Sequence, residues 1–221
     1  MLKRSGFAVG VATAVLLGAG AAAGAPSYCP TSSQAACSGR QVGDIVDLGG
    51  RLPLGSRSPK DWSRVGDVVH AFLAADLHEL SAQRRLACAE RLLRASQLLE
   101  LLEPSALIRA SDQLRAWIDD TWPGATWHRE LPVRAIVATP RGSRRIEGII
   151  DLLLEVPAGV VLIDHKSYPG RRDTWRERAQ EYAPQLAAYA QALRMAGRHV
   201  LSQWISFVVT GGAVPVNLPS T

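Results

Sequence analysis

Residues 159 to 166, GVVLIDHK, constrain this chain more than any other stretch. The apolar run is too short for a helix and rich in β-branched side chains. It follows the turn signal Pro157-Ala158-Gly159, so it reads as a buried strand. Such a strand ordinarily ends on a neutral turn, because an unpaired charge is costly to bury. This one ends on Asp164, His165 and Lys166. Residues i and i+2 of a strand share a face, so Asp164 and Lys166 project together and His165 projects away.

The surrounding pattern gives the fold class. Val65, Val68, Val69, Phe72 and Leu73 recur at helical spacing, a second helix is predicted over about 82–102, and Pro104 opens a third that reaches about Asp120. The period then changes. "WHRELPVRAIVA" alternates and "RRIEGIIDLLLEV" is apolar and β-branched. With GVVLIDHK and the turns between them, they predict a three-strand meander. A long helix is expected over about 174–196, ended by Gly197, and "LSQWISFVV" reads as a last strand. The fold class is α+β, a mixed central sheet flanked by helices.

The 221 residues suffice for one domain with a full core, expected over 61–221. Residues 26–60, rich in Ser, Gly and Pro, read as an irregular linker. Residues 1–25 place Lys3 and Arg4 before an Ala/Gly-rich apolar run that ends in Ala23-Gly24-Ala25. That reads as an export signal, a low-complexity leader or a misplaced start within a longer chain. A stable membrane span is not expected from so much Gly and Ala, and a cytoplasmic location stands beside the export reading. The formal charge of +5 is compatible with a polyanionic partner. No GxxxxGK[ST] is present, so any ATP-driven motor working with this protein lies in another chain. Cys29, Cys37 and Cys88 form no CxxC pair, and an iron–sulfur cluster is not expected.

Asp151, in "EGIIDLLLE", lies on the strand before Asp164. If the two strands pair as a hairpin, the carboxylates approach and repel, which raises at least one pKa. Mg²⁺ or Mn²⁺ relieves that repulsion, since hard cations prefer carboxylate oxygens. A charged Lys166 beside them is no ligand. It suits orienting a water or stabilising charge on a phosphate.

"GIID" followed by "LIDHK" resembles the G-x-x-D…(D/E)-x-K signature of the PD-(D/E)XK nuclease superfamily. "VGDVVHAFL" resembles the G-x-x-x-H helix of its RecB-type branch, and "YAPQLAAYAQAL" the Q-x-x-x-Y helix. The four elements occur in family order, and the set is similar to the C-terminal nuclease domain of AddA- or UvrD-like helicase-nucleases. The resemblance implies a restriction-endonuclease-like core and metal-dependent hydrolysis of DNA in repair or recombination, with a helicase supplied by another chain. It implies Asp151, Asp164 and His70 as ligands of Mg²⁺ or Mn²⁺ and Lys166 as the catalytic lysine. Gln185 and Tyr189 would support the site or contact DNA. His165 stands where relatives often carry an aromatic residue. Arg171 and Arg172 are candidates for gripping phosphates, although arginine runs are more often solvated surface. Glu130 reads as an ordinary strand-face charge rather than a group behind the site. The alternatives are a non-catalytic DNA-binding remnant of a split helicase-nuclease, or an exported protein of unrelated function.

Overall fold

The computed structural model describes residues 44–49, 51–54, 62–139 and 142–216. The leader expected at 1–25 and most of the stretch at 26–60 lie outside these residues. Three helices come first: α1 (Trp62–Ala75), α2 (Ala82–Ala95) and α3 (Pro104–Thr121). Ser81 caps α2 through its hydroxyl, and Pro104 opens α3, where its missing N–H is no loss. The apolar pattern predicts a longer α2, to about residue 102. The helix stops at Ala95 because Gln97 adopts φ 58°. The Leu98 N–H then returns to the Leu93 carbonyl and the Gln97 N–H to that of Arg94, a Schellman-type stop. Leu98 and Leu102 turn inward as a result and are buried.

The strands are β1 (Val46–Asp47), β2 (Thr126–Thr139), β3 (Gly142–Val156), β4 (Gly159–Lys166), β5 (Val200–Phe207) and β6 (Gly212–Pro215). The helix α4 (Trp175–Met195) connects β4 to β5. The sheet order is β1-β6-β5-β4-β3-β2, with β4 and β5 parallel and every other pair antiparallel. The fold is therefore α+β with a mixed six-stranded sheet, as a restriction-endonuclease-like core requires. The expected meander is β2, β3 and β4. Beyond the expected last strand, the chain turns back as β6, and β1 pairs with it.

Helices cover both faces. Val65, Val69, Phe72, Leu93, Leu107 and Ile118 of α1–α3 pack with Leu152, Leu154, Val161, Ile163 and Trp204 of the sheet. Leu153, Leu162, Ile205 and Phe207 face the other way, toward α4. Trp117, Trp122 and Trp204 meet edge to face, with centroids 5.2 to 5.9 Å apart. Among the described residues no helix is long and apolar enough to cross a membrane.

The end of α1 is locked by a buried carboxylate. Asp76 is 1% exposed. It takes two hydrogen bonds from Arg85, at 2.7 and 2.8 Å, and one from the Ser111 hydroxyl at 2.7 Å. Arg115 lies 3.0 Å from the same carboxylate. Arg129 donates to the Leu73 and Asp76 carbonyls, so β2 also grips the end of α1. Burial pushes the Asp76 carboxyl up, but the hydrogen bonds and charges of Arg85, Ser111 and Arg115 outweigh it and hold it below its ordinary value. Asp76→Asn should therefore lower stability at pH 7 by about 3 kcal/mol, the scale for breaking a buried pair. A carboxylate with a depressed folded pKa contributes above its unfolded pKa and loses that contribution as pH falls. Urea unfolding of parent and variant should thus differ most near neutrality, begin to converge as pH falls past about 4, the unfolded value, and meet only below the lower folded value.

Candidate active site

β3 and β4 pair from Val156 and Gly159 up to Leu152 and Ile163, and there the ladder ends. Continued by one residue, it would set Asp151 opposite Asp164. Instead the strands part. β4 stays with β5 as far as Lys166 opposite Phe207, while β3 continues with β2 alone. The Asp151 carboxylate fills the opening, and its Oδ2 accepts the His165 backbone N–H at 2.7 Å.

Asp151 also sits at a change of face. Leu152 packs among α1–α3, whereas Ile150 packs on the α4 side. On a regular strand they would share a face. The partner strand changes at the matching place: Trp127 joins the α1–α3 side and Leu131 the α4 side. Between them Glu130 adopts φ 51°, at a break in the β2–β3 ladder facing Asp151. The pairing on either side keeps one register, so no residue is inserted. A non-glycine residue in this left-handed region costs roughly 1–3 kcal/mol and persists only when its surroundings enforce it.

The four residues expected to do chemistry come together here. His70, on α1, places Nδ1 3.8 Å from Asp151 Oδ2. Its ring meets that of His165 edge on, with centroids 5.9 Å apart. Lys166 Nζ lies 2.5 Å from Asp164 Oδ2. Asp164 is nearly fully buried. Burial drives its carboxyl up and the Asp151 charge adds to that; Lys166 and His70 offset only part, leaving it at about 6. Burial holds His165 down at about 4, so its imidazole is neutral. Glu130 belongs to this field too. Partial burial raises its carboxyl first and Asp151 second, while His70 opposes the rise. It lines a small cavity with Asp151, Arg129 and His165. The alternating pattern of β2 hides this, because a strand-face charge and a residue at a kink look alike in sequence.

Two glycines set how closely the helices approach. A Cβ on Gly66, one turn before His70, would stand 2.6 Å from the Ser167 hydroxyl. That contact brings α1 onto the end of β4. A Cβ on Gly148, three residues before Asp151, would stand 2.3 Å from the Tyr189 hydroxyl. Tyr189 is buried, and the Gln185 amide donates to its hydroxyl at 3.3 Å. Gln185 and Tyr189 thus back the strand that carries Asp151. Arg171 and Arg172 lie elsewhere, around an open depression with Ile45 and Arg176 that no site carboxylate lines. Arg172 faces Asp47 at 3.4 Å and Arg171 faces Asp173 at 3.9 Å.

Asp151 and His70, 3.8 Å apart, and Asp164, within electrostatic reach of both, are donor types that suit a hard or borderline divalent cation. The chemistry fits at Asp164, a buried carboxylate whose ionised form lacks full compensation until positive charge approaches. Among the described residues no group of three or more His, Cys, Asp or Glu is placed to hold a metal ion. Lys166 covers the Asp164 oxygen instead. The model of the PD-(D/E)XK nuclease superfamily matches residues 48–218. Among curated proteins, none matches the chain.

Two outcomes follow from this geometry. Asp164 holds its proton more tightly folded than unfolded, so stability falls as pH rises from the ordinary 3.8 toward 6. Without added cation, the parent should lose about 2–3 kcal/mol relative to Asp164→Asn between pH 4 and 7. Thermal unfolding across that range checks it. Gly148→Ala should destabilise by about 1–3 kcal/mol through overpacking. Adding Tyr189→Phe, which removes the hydroxyl in the way, should recover part of the loss in the same measurement.

Proposed function

The chain belongs to the PD-(D/E)XK nuclease superfamily, and on that premise we propose that it hydrolyses DNA phosphodiester bonds with the help of Mg²⁺ or Mn²⁺. The observation that carries this reading is the meeting of His70, Asp151, Asp164 and Lys166 where β3 and β4 part. Asp151, Asp164 and His70 would hold the cation. When bound, it supplies positive charge to the phosphate and activates water for in-line attack. The chain's own groups do the rest. The His165 N–H fixes the orientation of the Asp151 carboxylate. The His165 ring, buried and neutral, meets His70 edge on at the α1 side of the site without adding charge. Lys166, released from Asp164, orients the attacking water and stabilises negative charge gathering on the phosphoryl oxygens.

The finer placement, in the RecB-type branch and near AddA- or UvrD-like nucleases, is supported by His70 on the first helix and by Gln185 and Tyr189 on α4. On that reading the protein processes DNA ends in repair or recombination beside a helicase carried by another chain. Residues 61–221 are then the nuclease domain, in the cytoplasm, with Arg171 and Arg172 as outlying phosphate contacts.

Labelled linear single- and double-stranded DNA should be cut with Mg²⁺ and left intact with EDTA. Asp164→Ala should abolish both Mn²⁺ binding and cleavage, since a hard cation loses a charged oxygen. Lys166→Ala should cut at least about a hundredfold more slowly. Its Mn²⁺ affinity should be retained or raised, because a competing positive charge is gone. Calorimetric titration with Mn²⁺ beside single-turnover cleavage separates the two variants. Cleavage by Lys166→Ala at the parent rate would overturn the reading.

A further inference from the structure

Lys166 is held on two sides. Its Nζ lies 2.5 Å from Asp164 Oδ2 and 5.0 Å from the centroid of the Tyr182 ring. Tyr182 stands on α4, three residues before Gln185. Its ring is itself fixed. The Arg178 guanidinium lies 5.2 Å from the centroids of both Tyr182 and Tyr168, and it pairs with Glu181 one turn along the helix. The Tyr168 hydroxyl is 3.0 Å from that of Thr174. Lysine, tyrosine, arginine and tyrosine thus form a ladder along the start of α4, beside the end of β4.

The two anchors of Lys166 differ in kind. Asp164 attracts the ammonium through the same carboxylate for which a divalent cation would compete. Once that carboxylate is engaged, like charges repel and the ammonium loses it. An aromatic face attracts an ammonium through its quadrupole, carries no net charge and does not compete for the cation.

We propose that Tyr182 is a positioning residue for Lys166: its ring face keeps the ammonium at the site when Asp164 is engaged by a divalent cation. This rests on the nuclease reading above. It adds a residue that the Q-x-x-x-Y spacing does not include, one helical turn before the glutamine. α4 then serves both sides of the parted strands, through Tyr189 on β3 at Gly148 and through Tyr182 on β4 at Lys166.

The test uses the full chain with Phe, mono-, di- and trifluorophenylalanine, or Leu at position 182. Tyr182→Phe keeps the ring face and should cut within about twofold of the parent. Tyr182→Leu should lose about three- to thirtyfold in kcat, and successive fluorination should lower kcat in graded steps as the quadrupole weakens. KM for DNA, Mn²⁺ affinity and Tm should stay at parent values, which a merely structural role would not allow. A second readout needs no cleavage. In saturating Mg²⁺, acylation of Lys166 by an amine-directed reagent, followed by mass spectrometry, should be several-fold faster in Tyr182→Leu than in the parent. If the Leu variant does not fold, the fluorinated series carries the test. A parent that cuts, with kcat and acylation indifferent to the ring, overturns the role of Tyr182 alone. A parent that never cuts overturns the nuclease reading, and the acylation rates still decide whether Tyr182 holds Lys166.

Discussion

One backbone hydrogen bond organises the site: the His165 N–H on the Asp151 carboxylate. Where β3 leaves β4, both strands expose polar backbone groups in a buried place, and such groups must find partners. A side chain supplies one. Asp151 thereby ends the ladder and is itself oriented, with His70 3.8 Å from the same carboxylate oxygen. The opening between the strands exists because a carboxylate replaces a ladder bond, and Asp164 and Lys166 stand beside it.

The strand reading was legible because β-branched, apolar periodicity is a strong signal between clear turns. GVVLIDHK could be placed to the residue for that reason. The shared projection of Asp164 and Lys166 followed from strand geometry, and their contact agrees with it. The approach of Asp151 needed only a hairpin register. Other features lacked such signals. Gln97 ends α2 inside a leucine-rich run by taking φ 58°, and nothing in "ASQLLELL" announces that. The kink at Glu130 likewise breaks no sequence pattern, yet it turns Asp151 and makes Glu130 part of the site's field.

The glycines were visible as motif letters but not as contacts. Gly66 admits Ser167, and Gly148 admits Tyr189. Each joins elements far apart in sequence, and only the folded chain reveals what fills the missing side chain. The pairing also explains why a tyrosine on α4 and a glycine on β3 belong to one arrangement: the hydroxyl occupies the volume of the absent Cβ. Close packing makes such a pair intolerant of change on either side alone.

The parallel pairing of β4 with β5 carries a kinetic consequence. β3 and β4 are neighbours across a tight turn, so their hairpin can close on the microsecond scale. β5 reaches β4 only after the chain has run through α4, a long-range closure that comes late. Asp151 and Asp164 can therefore be assembled in water, well hydrated, before β5 and the helices seal Asp164 away. If β5 and the helices dock last, the electrostatic penalty of its burial falls in that step. A transition state that precedes that step does not feel the penalty, so the rate of folding is spared and the rate of unfolding absorbs it. Chemistry placed at the end of a central strand thus leaves early collapse undisturbed and concentrates its strain in the finished molecule.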